Sequence, residues 1–100
     1  MLHVVIDTEA GNTLAKEGRI GETIGSILED MKPEAAYFYA EEGKRSVLAF
    51  FEMDDAARIP VLAEPWFLAF NAKVEIKPVM VADDLAKAGP GIEDVVRRYG

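Results

Sequence analysis

The sequence predicts a single α+β domain over residues 1–100. It reads as a β-α-β-β-α-β chain forming a four-stranded antiparallel sheet with both helices on one face, followed by a helical C-terminal extension. Three observations carry this reading. The chain has 100 residues, the length of one domain. Short β-rich segments alternate with segments of helical period. Two of the strand segments are joined by a short glycine-containing turn, which makes them a hairpin. A hairpin set between two β-α units is the split βαβ arrangement. Residues 1–81 are the expected core and residues 82–100 the extension.

Leu2 to Asp7 is β-branched and too short for a helix, so it is the first strand. Leu2, Val4 and Ile6 fall on one face, and His3, Val5 and Asp7 on the other. Glu9 to Thr13 carries turn residues and is expected as a loop. Ile20, Ile24, Ile27, Leu28 and Met31 form one stripe of an amphipathic helix. Gly21 and Gly25 lower its helix propensity and suggest close backbone packing. Lys32-Pro33 ends it.

Ala35–Glu41 and Arg45–Met53 are the second and third strands, joined through Glu42-Gly43-Lys44. Asp54 or Asp55 can cap a second helix running to Phe70, broken into two pieces by Pro60 and Pro65, with Asn71 as its stop. Lys73 to Val81 alternates as the fourth strand, and Pro78 places it at a sheet edge or bulge. Asp83 to Lys87 suits a short helical turn closed by Gly89, before a last helix over Ile92 to Tyr99.

Composition narrows function by exclusion. The net charge is −7, which opposes binding to a nucleic-acid backbone or an anionic membrane surface. There is no cysteine, hence no disulfide framework and no thiolate chemistry. The N-terminus lacks the pattern of a signal peptide, and no apolar run approaches a membrane span, so a soluble cytoplasmic protein is expected. Half of the residues are hydrophobic before any of the eight glycines is counted. That is an apolar excess for a small domain. Much of it lies in Ala35–Ala40 and Val47–Phe51, which are apolar on both strand faces. A sheet with helices on one side leaves its other face open, so a second copy of the chain is expected to cover it.

In element order and apolar pattern the chain resembles the dimeric α+β barrel superfamily of ferredoxin-like proteins over about residues 1–81. The segments Ile59–Phe67 and Asn71–Glu75 look motif-like within that likeness but carry no recognisable activity. The superfamily pairs two sheets face to face around a cavity. It includes muconolactone isomerases, quinol-forming monooxygenases, haem-degrading enzymes and small stress-induced proteins. The resemblance therefore implies a homodimer with an internal chamber, formed by a single-domain member of that superfamily. It does not imply haem. Haem-degrading relatives carry a histidine ligand on the second helix, and residues 55–70 contain none. No cofactor is expected.

Six residues are candidates for a site. His3, the only histidine, could carry a proton near neutral pH, or could be a hydrogen-bonded residue near a strand start. Glu52 closes an apolar strand and could be a second proton carrier, or simply a strand end reaching water. Tyr37 and Tyr39 share a strand face and, with Phe50, could line an apolar pocket or a subunit interface. Trp66, one helical turn from Phe70, could wall the cavity mouth or fill the core. Asp7, Glu75 and Lys77 read as strand-end and edge charges. Three functions follow. The first is a homodimer binding a small apolar molecule between the sheet and its partner. The second is a small cofactor-independent isomerase or monooxygenase-like enzyme using His3 or Glu52. The third is a structural or regulatory dimerisation module.

Overall fold

Four strands, β1 (Leu2–Val5), β2 (Ala35–Glu41), β3 (Lys44–Phe50) and β4 (Lys73–Ile76), form one open antiparallel sheet in the computed structural model, which describes residues 1–100. Their order is β2-β3-β1-β4. Helices α1 (Thr8–Lys16) and α2 (Ile20–Met31) connect β1 to β2, α3 (Arg58–Phe70) connects β3 to β4, and α4 (Ala82–Tyr99) follows the last strand.

The alternation of strand side chains decides which face is buried. Leu2 lies opposite Ala49 and Val4 opposite Val47, and these four, with Ile6, are sealed under the helices. Ile27 and Met31 of α2 and Leu62, Trp66 and Phe70 of α3 complete the core. Ile20, Ile24 and Leu28 pack against its margin, so the helical stripe read from the sequence is the buried one. The Trp66 and Phe70 rings stack at 6.0 Å, and each is fully buried. At about 1.5–3 kcal/mol per large side chain, this one-sided cluster is the main stabilising element of the fold.

Several segments differ from the sequence expectation, each for a local reason. Glu9 to Thr13 is not a loop but part of α1. Asp7 caps that helix by accepting the Ala10 N–H at 3.1 Å, with Glu9 in the first turn and Lys16 in the last. Gly11 leaves room there for the flexible end of Arg45, since a Cβ would lie 2.8 Å from Arg45 Nη1 and 3.1 Å from Ile6 Cγ2. Gly21 and Gly25, expected to mark close packing, face open space.

α2 stops at Lys32, which adopts a left-handed conformation before Pro33. The hairpin turn places Glu42 and Gly43 at positive φ, the geometry two-residue hairpin loops prefer. β3 ends at Phe50, three residues early, because its last partner is Ala35 and Pro33 beyond it cannot donate to a ladder. β4 likewise ends at Ile76, ahead of Pro78. It is an edge strand, with Lys77 still exchanging two backbone bonds with Met1.

α3 is one helix, not two. Pro60 sits in its first turn, where no helical acceptor is lost. Pro65 frees the carbonyl of Val61, a solvent-exposed residue. Asp55 caps the turn just before α3 through the Ala57 N–H, and Asn71 ends the helix in a left-handed conformation. α4 is also continuous, running through Gly89-Pro90-Gly91, where the carbonyl freed by Pro90 belongs to the exposed Ala86. The bond from the Val81 N–H to Asp84 Oδ2 caps its start.

Candidate functional site

With Leu2, Val4, Val47 and Ala49 committed to the core under the helices, the opposite sheet face is left uncovered, and Phe38 on the helix side stays exposed at the β2 edge. Register places its side chains in rows. Tyr37, Leu48, His3 and Glu75 form one row from β2 to β4, and Tyr39, Ser46, Val5 and Lys73 form the next. Tyr37 and Tyr39 are 59 % and 40 % exposed, more than aromatic rings with a covering layer would be. Tyr37 packs edge-on against Phe50 at 6.4 Å.

His3 is the centre of the polar part of this face. It belongs to β1, yet it reaches across β3 to β2, where the position between them holds the small Ser46. Its ring stacks on Tyr39 with centroids 6.2 Å apart and planes within 15°. Its Nε2 lies 3.2 Å from Glu41 Oε2, but the direction is wrong for a hydrogen bond. Nε2 is buried without any hydrogen-bond partner. The Glu41 contact is therefore electrostatic, and half-exposed at the carboxylate end. A buried, unpaired ring nitrogen costs about 1–3 kcal/mol.

Carboxylates flank the imidazole on both sides. Partial burial, then the charge of Glu41 and a hydrogen bond to it, pushes the Tyr39 hydroxyl above its ordinary value of 10.0. On the other side, the hydrogen bond from Lys77 and its charge hold the Glu75 carboxyl below its usual value; burial opposes this, and Lys73 and His3 add to it. Lys77 and Lys73 lie 3.3 and 3.7 Å from the Glu75 oxygens, which are the edge charges read from the sequence. No three His, Asp or Glu side chains converge closely enough to hold a metal ion.

The six candidates divide among three places. His3 and Tyr39 touch, and Tyr37 and Phe50 touch, all on the open face. Glu52 lies beyond the end of β3 and is exposed. It belongs to a groove of about 760 Å³ lined by Met1, Phe50, Phe51, Met53 and Ile76 among others, which adjoins the open face through Phe50. Trp66 is on the far side of the sheet, in the core, as the packing reading of that segment requires. Its Nε1–H is also buried without a partner. Glu41 and Glu75 join the His3 cluster without having been singled out as site residues. The available signal was the period of two: Glu41 continues the Tyr37–Tyr39 face, and Glu75 pairs with His3 once β4 is set beside β1.

The fold is α+β, an open four-stranded antiparallel sheet with four helices. The chain belongs to the DUF3303 family, a domain of unknown function, which matches residues 1–92. No curated protein and no solved structure matches it significantly. No helix is long and apolar enough to cross a membrane.

Proposed function

We propose that the protein is a homodimer of the ferredoxin-like, dimeric-barrel kind, and that the chamber between its two sheets binds a small apolar molecule carrying one hydrogen-bonding group. The observation that carries this is the uncovered sheet face, which bears Tyr37, Leu48, Phe50 and Val5 together with His3, whose Nε2 has no hydrogen-bond partner. The strand order β2-β3-β1-β4 and the placement of the crossover helices on one side support it. Apolar walls with few convergent polar groups are the usual make-up of small-molecule sites. His3 would orient the ligand by a ring rotation that uncovers Nε2, and Tyr37 and Phe50 would contact its body.

The test is titration of the purified protein with the apolar fluorophore N-phenyl-1-naphthylamine. Saturable binding with a fluorescence rise is expected, abolished in Leu48→Lys. Absence of saturable binding, or equal binding by Leu48→Lys, would remove the chamber from the account and leave a dimerisation module.

The His3–Glu41–Tyr39 contacts favour a second reading, in which the bound molecule is also a substrate for proton transfer. An imidazole flanked by a carboxylate is a common acid–base pair, and an excluded-water chamber suits an activated substrate. His3 is then the carrier in preference to Glu52, which lies outside the cluster. Unchanged turnover of a discovered substrate by His3→Ala would remove His3 from that chemistry.

A further inference from the structure

We infer that α4 is a docking arm whose apolar stripe packs on the second copy of the chain; this rests on the homodimer proposed above. Helical projection places Leu85, Ile92 and Val96 within a narrow stripe, flanked by Val95 and Tyr99. Asp83, Lys87, Asp94, Arg97 and Arg98 lie on the opposite side, tied by the Asp83–Lys87 and Asp94–Arg98 pairs. All five stripe residues are about half exposed or more, and no α4 residue is buried. The single chain therefore buries none of the face that its patterning has prepared.

Such a helix does not sustain itself. Isolated helices of this length are marginal in water, and most helical stability comes from packing an amphipathic face. Gly89-Pro90-Gly91 puts the poorest helix formers at its middle. The body offers it nothing: the chain extends 59 × 27 × 20 Å with a radius of gyration of 17.5 Å, against about 13 Å for a compact chain of this length.

Interface size points to a second copy as the occupant. β1 and β4 span only four residues each and β2 and β3 seven. At about 3.3 Å per residue and about 4.8 Å between strands, the sheet face has a footprint of roughly 350 Å². Doubled for side-chain relief, it stays short of the ~800 Å² per partner of a stable interface. α4 is about 27 Å long and about 10 Å wide, a further footprint of roughly 270 Å². Sheet and arm together clear the requirement. α4 also leaves the body beside the same face, through Val79 and Val81, which line the groove with Phe50. The polar side of α4 carries acids among its bases, which disfavours an anionic membrane as the occupant.

The test is sedimentation equilibrium of the full chain over a concentration series, comparing wild type with Ile92→Asp, Val96→Asp and Leu48→Asp. Trp66 fluorescence reports the fold, which contains no α4 residue in its core. Both α4 variants are expected to raise the dimer dissociation constant by about 30-fold or more, the effect of losing an interface anchor, with the fluorescence unchanged. In Val96→Cys, whose single thiol is unambiguous in a chain without cysteine, the rate of thiol labelling is expected to fall as concentration rises through the dissociation constant. Dimerisation of the α4 variants at the wild-type constant, with a monomeric Leu48→Asp, overturns the arm and leaves the sheet interface. The reverse pattern keeps the arm and overturns the sheet interface. A wild-type monomer, or labelling of Val96→Cys independent of concentration, overturns the arm outright.

Discussion

Replacing His3 by Phe should stabilise the protein while removing its polar anchor. The imidazole occupies the centre of the sheet, opposite Leu48 and Glu75, with Nε2 buried and unpaired. Leaving that nitrogen unmet costs about 1–3 kcal/mol, and an apolar ring of similar shape carries no such cost. Against this, the substitution loses the 3.2 Å contact to Glu41. That contact is half-exposed and misaligned, so it is worth less than about 1 kcal/mol. The stack on Tyr39 is available to a phenyl ring as well. The balance is a gain of about 1 kcal/mol, or roughly 4–8 °C in Tm for a domain of this size. Urea denaturation of wild type and His3→Phe at one fixed protein concentration measures it, because a dimer's apparent stability depends on concentration. A loss of more than about 1 kcal/mol would refute the reasoning, since it would mean that the folded protein itself satisfies Nε2. A gain in stability together with loss of fluorophore binding is the mark of a functional residue held at a structural cost.

Three further outcomes follow from the same geometry. Gly25→Ala, with open space around the new methyl group, should stabilise α2 by about 0.5–1 kcal/mol in the same urea assay. Asp7→Ala removes the Ala10 cap and should cost about 1 kcal/mol, read as an earlier thermal transition. Tyr39 titrates above 10.0 in the folded protein, so its contribution to stability is fully present below pH 10 and is lost as pH rises through the raised value. Glu41→Gln removes the charge and the charged acceptor but not the burial. Phenolate absorbance should therefore begin to rise at lower pH than in wild type, and the stability lost across that rise should be smaller.

Reading the chain by period located most of the sheet. Leu2, Val4 and Ile6 separate cleanly from His3 and Val5, and the doubly apolar β2 and β3 mark a face that nothing in the chain covers. The stripe of α2 and the stop at Lys32-Pro33 were equally plain. Legibility failed where local residue type and long-range partner disagree. Gly11 and Asn12 carry turn signals, yet Asp7 caps a helix through them and Gly11 makes room for Arg45. Pro60 and Pro65 look like breaks and Pro90 like the start of a separate helix, yet each lies where the missing donor is either unneeded or answered by an exposed carbonyl. The ends of β3 and β4 depended on where Pro33 and Pro78 remove a partner, which strand pattern alone does not show.

The site was legible in its aromatic part and not in its polar part. Tyr37, Tyr39 and Phe50 follow from alternation along their own strands. Glu41 and Glu75 reach His3 only through the pairing of β1 with both β3 and β4, and no spacing along the chain encodes that. Helical spacing left Trp66 as either a wall of the cavity mouth or a core residue; it stands in the core, on the far side of the sheet from the tyrosines, and lines no cavity mouth there.

Everything proposed for this protein depends on a second copy covering the open face. Sedimentation equilibrium of the unmodified chain tests this directly. A mass twice the 11.0 kDa of the chain, falling to the monomer mass in Leu48→Asp, is the expected result. A mass of 11.0 kDa for the wild type at every concentration would contradict it.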